Sequence, residues 1–190
     1  MISQILSAFG LASAAGLNAY IPLLIVALLA RFTPWITLPP PFDILTHNAV
    51  VVALVVLTTV ETFADKIPGV DHLNDIVQTF VRPTAGAILF AAETKTVGID
   101  PVLAAVCGLV LAFSVHAAKA TARPVVSATT LGLGNPVVST AEDVVAVATS
   151  LLAIFAPVLA AIVFVVFFVL LFVVFRRWRR RWPPTQTRGL

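Results

Sequence analysis

Apolar runs long enough to cross a lipid bilayer fill most of this chain, and they leave few folds open to it. Residues 5–30, 48–66, 76–94, 101–121, 138–156 and 158–175 each read as a span, because about 20 apolar residues in a helix cover a hydrocarbon core of about 30 Å. Inside such a core every backbone N–H and C=O must be bonded by protein, and a helix does this within one segment. The expected fold is an all-α integral membrane protein of about six transmembrane helices with broken or re-entrant segments. Composition agrees. Only 11% of residues are charged and 59% are hydrophobic, whereas about a quarter are charged in soluble domains. The 190 residues leave no room for a separate soluble domain. Residues 1–177 are expected to form a single polytopic domain, followed by a basic and partly disordered cytoplasmic tail, 178–190.

The first run has no basic segment before it and is too long for the core of a signal peptide, so it reads as a retained span. The last two runs are harder to divide. From Ala141 to Phe175 the chain is almost continuously apolar, so either one helix kinks at Pro157 or the chain turns there. Basic residues separate the two readings. With a turn, Lys66, Arg82, Lys119, Arg123 and the six C-terminal arginines share one side, ten of the twelve basic residues, leaving Arg31 and Lys95 opposite. The positive-inside rule then favours six spans with both termini cytoplasmic. A five-span chain keeps those loops inside and moves the N-terminus out.

Several function classes are set aside by the same residues. The net charge of +3 comes from arginines at the end of an apolar helix, interleaved with Trp178 and Trp182. This pattern anchors a helix at an anionic lipid surface and does not indicate nucleic acid. The expected partners are membrane lipids, with anionic lipid at the C-terminal arginines, and a second copy of the chain as a homo-oligomer. Cys107 is the single cysteine and reads as packing. His47 and His72 have no partners at ligand spacing, so no metal and no cofactor are expected. Neither a phosphate-binding glycine loop nor a serine elbow nor a metalloprotease motif is present, which argues against an enzyme. The proline-rich stretch Arg31–Asp43 reads as an extended strap in the headgroup layer.

Chemistry concentrates at two polar breaks, Val60–Gly69 and Ser114–Pro124. In each, an apolar run passes directly into charged residues, which is costly in a membrane and usually functional. The two breaks, with the spans around them, form a weak internal two-span repeat from Thr59 to Ala87 and from Ser114 to Val138. Glu61 stands opposite His116 and Pro68 near Pro124. Glu61 and Asp65 are spaced i, i+4 on one helical face, as a cation site, a proton relay or a structural network with nearby Lys66, Arg82, Lys119 or Arg123 would require. His116 and Lys119 share the next face.

Three further constellations stand out. Asn18 and Pro22 coincide in the first run, where proline leaves the carbonyl of Asn18 without its helical donor. The pair marks either a kink satisfied by a neighbouring helix or the lining of a polar cavity. Glu142 and Asp143 follow Ser139 at capping-box spacing, which accounts for one acid and not for two. The stretch Arg123–Pro136 is small, hydroxyl-rich and uncharged after its first residue, as expected of a re-entrant segment. Arg82 and Arg123 would lie near helix termini there, where an anionic group is easily held. Asn135 closes that stretch.

At Gly16–Pro22, at Glu61–Asp65 with Lys66-Ile67-Pro68, and at Gly132–Pro136 followed by Glu142-Asp143, the chain resembles a bacterial membrane family known as domain of unknown function 4126. The resemblance implies the membrane fold and a bacterial inner membrane, and supplies no substrate or catalytic residue. The functional expectation is a small transporter or channel-like protein for an ion, small solute or anionic lipid head group. Its central polar site would use Asn18, Glu61, Asp65, Arg82, His116, Lys119, Arg123, Asn135, Glu142 and Asp143. The competing expectation is a structural or assembly protein whose charges pair internally and whose basic tail binds lipid or a partner.

Overall fold

The computed structural model describes residues 1–65, 67, 70–130, 134–162, 165, 166, 169, 173 and 176. The expectations for Lys66, Pro68, Gly69, residues 131–133, the tail 178–190 and half of the span 158–175 fall outside these. Regular structure among the described residues is helical. The main elements are α1 (Ile2–Leu17), α2 (Tyr20–Phe32), α3 (Asn48–Ala64), α4 (Val70–Thr94), α5 (Pro101–Thr130) and α6 (Asn135–Phe155). Two of them, α5 and α6, are long and apolar enough to cross a membrane.

The run read as one span over residues 5–30 is two half-length helices. At 16 and 13 residues, α1 and α2 extend only about 24 Å and 20 Å. Asn18 between them is extended, at φ −143° and ψ 125°, and the chain reverses there. The reversal follows from what the outer ends touch. Near the start of α1, Gln4 Nε2 donates to Thr96 Oγ1 at 3.0 Å, in the turn joining α4 to α5. Just past α2, the Trp35 ring packs edge-on against Phe155 at the end of α6, with centroids 5.2 Å apart. Further along the same strap, the Pro40 carbonyl accepts from Lys95 Nζ. Both outer ends of the α1–α2 hairpin therefore lie at the end of the bundle where α4 meets α5, and its tip points toward the end where α3 meets α4 and α5 meets α6. The latter is called the charged end below.

Small side chains let α1 occupy the middle of the bundle. Its stretch Ser7–Gly16 is buried apart from Phe9, against α4, α5 and α6. A Cβ on Gly16 would fall 2.6 Å from the Ala112 carbonyl oxygen, and one on Gly10 would fall 2.6 Å from the Ala153 methyl. Gly86 and Gly108 bring α4 and α5 together in the same way: a Cβ on Gly108 would stand 2.3 Å from the Gly86 carbonyl oxygen. Such contacts exchange side-chain volume for close backbone approach.

Near Pro157 the helix stops at Phe155, Ala156 takes φ −143° and ψ 62°, and helix resumes at 157–162. The Ala153 and Ala160 methyls stand 2.6 and 3.9 Å from the position a Gly10 Cβ would take, although seven residues of straight helix would separate them by about 10.5 Å. The bend at Pro157 is sharp.

Three other expectations are corrected. The stretch 123–130, read as re-entrant, is the last part of α5, which runs through Pro124 to Thr130. Arg82 and Arg123 consequently lie inside helices, not at their termini. The two segments of the supposed repeat also end differently, because α3 stops at Ala64 before Pro68 while α5 continues six residues beyond Pro124.

Large apolar side chains face outward while several charged ones are enclosed. Val52, Val55, Val56 and Val60 on α3, and Val102, Leu103, Val106, Leu109, Val110 and Phe113 on α5, are exposed, whereas Glu61, Asp65, Gln78, Arg82, His116, Lys119 and Arg123 are buried. Even outward hydroxyls are satisfied by their own helix: Thr59, Thr84, Ser114 and Thr140 donate to the carbonyl four residues back, at 2.7–2.8 Å.

Candidate functional site: a buried charge network at the hairpin tip

The residues around the hairpin tip come from every main helix. Asn18 caps α2 with its side chain, Oδ1 accepting from the backbone N–H groups of Tyr20 and Ile21, both at 3.1 Å. This is the geometry by which an asparagine satisfies first-turn amides, and it is why the chain breaks here. The other half of the amide, Nδ2, donates to Asp143 Oδ1 on α6 at 3.0 Å. At the end of α1 the Leu17 carbonyl accepts from Lys119 Nζ on α5 at 3.1 Å, placing a cation at the negative end of a helix. Two other helices thus hold the tip through charged side chains.

From Lys119 the contacts spread through the charged end. Lys119 lies 2.8 Å from Glu142 Oε2 and 3.6 Å from Asp65 Oδ2. Arg123 reaches Asp65 at 3.0 Å, Asp75 at 2.9 Å and Glu142 at 3.5 Å. Arg82, with no exposed surface, lies 3.0 Å from Glu61 Oε1 and 3.8 Å from Asp65 Oδ2. Asn74 Nδ2 donates to the remaining oxygen of Asp65. Asp65 is therefore the hub, facing three cations from two helices.

His116 extends the network along α4. Arg82 NH1 lies 3.1 Å from His116 Nδ1, and His116 Nε2 lies 3.1 Å from Thr79 Oγ1. A guanidinium can only donate, so Nδ1 accepts and the ring is the neutral tautomer with its proton on Nε2. Thr79 accepts that proton and donates its own to the Asp75 carbonyl at 2.8 Å.

Nine of the ten site residues expected from the sequence belong to this assembly: Asn18, Glu61, Asp65, Arg82, His116, Lys119, Arg123, Glu142 and Asp143. Asn135, at the same end, exchanges hydrogen bonds with Ser127 at 3.1 and 3.0 Å across the α5–α6 turn. The capping reading of Glu142 is overturned as well. Because α6 begins at Asn135, Glu142 stands two turns inside it and pairs with Lys119, while the Ser139 hydroxyl has no hydrogen-bond partner. Asp75, Asn74, Gln78 and Thr79 were missed. Their signal was a polar stripe at helical spacing, Asn74/Asp75, Gln78/Thr79 and Arg82, on a segment partly assigned to a loop.

Among the described residues the acids outnumber the cations: Arg82, Lys119 and Arg123 face the carboxylates Glu61, Asp65, Asp75 and Glu142 in ion pairs, and Asp143 joins through Asn18. Several buried polar atoms have no hydrogen-bond partner, among them the acceptors Glu61 Oε2, Asp75 Oδ1 and Gln78 Oε1 and the donor Arg82 Nε. No group of three or more His, Cys, Asp or Glu side chains with metal-site geometry occurs among the described residues.

Together these features define a helical protein with an apolar exterior, a broken central hairpin and an acid-rich charge network closed around its tip. The chain belongs to the family described as Domain of unknown function (DUF4126), which it matches over residues 5–177. No curated protein and no solved structure matches it.

Proposed function

We infer that this is an integral membrane protein that carries or conducts a small cation through the polar site at the hairpin tip. The membrane reading rests on the reversed burial pattern. Apolar patches of this extent on a water-soluble monomer would drive association, and outward hydroxyls bonded to their own backbone suit a medium without water. In that setting the α1–α2 hairpin enters and leaves from one side and ends inside the protein.

One observation carries the transport reading: the hairpin tip is fastened by Lys119 and Asn18 to a buried network with more carboxylates than cations. Helix ends that meet inside a membrane protein are established places for binding ions, and the excess of acid favours a cation over an anion. Reconstitution in liposomes with a panel of monovalent cation and proton gradients tests this. Flux above empty vesicles, reduced at least tenfold in Lys119→Met, is the expected result. Flux unchanged in that folded variant overturns the assignment.

A structural or assembly role is favoured by a different observation, that each of the three buried cations is ion-paired. Wild-type protein with no flux for any gradient in the panel would support that reading.

A further inference from the structure

The geometry points to Glu61 as a proton-binding site, the position at which the network takes up and releases one proton. This rests on the cation reading above and names the cation.

Two unpaired oxygens carry the argument. Glu61 is 1% exposed, its Oε1 is taken by Arg82 NH2 at 3.0 Å, and its Oε2 has no partner. Gln78 lies one helical turn before Arg82 on α4, is also 1% exposed, and its Oε1 has no partner either. The Tyr20 side chain on α2 faces both residues. Each of these buried acceptors is costly without a donor. A proton on Glu61 Oε2 turns the first of them from an acceptor into a donor.

The charged surroundings tolerate that change. Glu61 is faced by Arg82 on α4, Lys119 on α5, Tyr20 on α2 and Asp65 on its own helix. His116 reaches it only through Arg82, as a neutral ring. When Glu61 is protonated, Arg82 keeps Asp65 at 3.8 Å as its counter-ion, and the excess of acid over base falls by one. A metal ion fits less well, because the Arg82 guanidinium already occupies one carboxylate oxygen and would repel it. The more exposed acids, Asp75 and Glu142, at 19% and 15%, lie where water at the charged end reaches the network.

The experiment uses the purified full chain in detergent and needs no transported substrate. The chain contains three glutamates, Glu61, Glu93 and Glu142, so labelling glutamate side-chain carboxyls with carbon-13 separates them from aspartates in infrared difference spectra. Between mildly basic and mildly acidic pH, wild type and Glu93→Gln should gain a carboxylic-acid band that shifts with the label. Glu61→Gln should lack it and take up one proton fewer in an indicator titration. Absence of the band in wild type overturns the proposal, as does its persistence in Glu61→Gln. If that variant does not fold, Glu142→Gln assigns the band by elimination: retention in both Glu93→Gln and Glu142→Gln leaves Glu61 as its source, and loss in either overturns the proposal. Since proton uptake is read without flux, a negative result here leaves the transport reading standing, and absent flux leaves the proton site standing.

Discussion

At Arg82 a full positive charge has no exposed surface and is tied to Glu61 and His116. Removing one partner of such a pair strands the other, so Arg82→Ala should destabilise the protein by about 3–5 kcal/mol. Arg82→Lys should recover only part of this, because one ammonium cannot reproduce the fork that reaches a carboxylate and a ring nitrogen together. Thermal unfolding in detergent should rank wild type above lysine and lysine above alanine. Equal stability of wild type and lysine would show that the fork is unimportant. Asn18 gives a sharper contrast. At an ordinary N-cap, asparagine and aspartate are nearly equivalent and alanine costs about 1–2 kcal/mol. Here Asn18→Asp keeps the capping oxygen but loses the amide that donates to Asp143 and sets two carboxylates together. It should therefore unfold as early as Asn18→Ala, and an aspartate variant as stable as wild type would remove Asp143 from the cap. These residues were legible in the sequence because charge and amide are expensive in apolar runs and stand out there. Asp75 and Gln78 were not, because a polar residue in a polar stretch carries no such contrast.

The elements differ in how far hydropathy describes them. The central part of each long helix was evident, while α4 begins six residues before the expected 76 and α5 ends nine residues after the expected 121. Hydropathy reports the part of a helix that suits lipid, and these extensions carry the polar residues Asn74, Asp75 and Arg123 of the network. Pro83 and Pro124 sit inside helices, where surrounding helices can satisfy the carbonyls a proline frees. The hairpin break at Asn18 needed a side-chain cap that no hydropathy average contains. How tightly the elements pack is testable at the α4–α5 crossing. Gly108→Ala places a methyl 2.3 Å from the Gly86 carbonyl oxygen, backbone against backbone, and should cost about 1–3 kcal/mol as an overpacked site does. Gly98→Ala is the useful comparison, since its Cβ would meet nothing within 4 Å but its φ is +76°. It should lose about 1 kcal/mol through backbone strain alone. Unfolding midpoints should rank wild type above Gly98→Ala and Gly98→Ala above Gly108→Ala.

At the scale of the whole molecule, the hairpin changes which end of the bundle each segment occupies. A single span over residues 5–30 would put the first residues opposite the strap 33–47. A hairpin puts them on the same side, together with the turn joining α4 to α5, as the contacts Gln4–Thr96 and Lys95–Pro40 require. The distinction survives the revised meaning of the basic residues. Arg82, Lys119 and Arg123 are paired inside the protein, so they weigh less as topology signals than loop charges do, whereas Arg31 and Lys95 remain at the opposite end. Single cysteines at the exposed positions Ser3, Thr37 and Thr96, introduced with Cys107 replaced by alanine, read the arrangement directly. In sealed vesicles of one orientation, a membrane-impermeant maleimide should label all three to the same extent, and permeabilisation should add nothing to any of them or reveal all three at once. Labelling of position 3 from the side opposite to 37 and 96 would restore a through-going first span and remove the hairpin. Because the Asn18 cap and the Lys119–Leu17 bond are what hold the tip inside the protein, Asn18→Ala combined with Lys119→Met should weaken this pattern first at position 3, before 37 and 96 change.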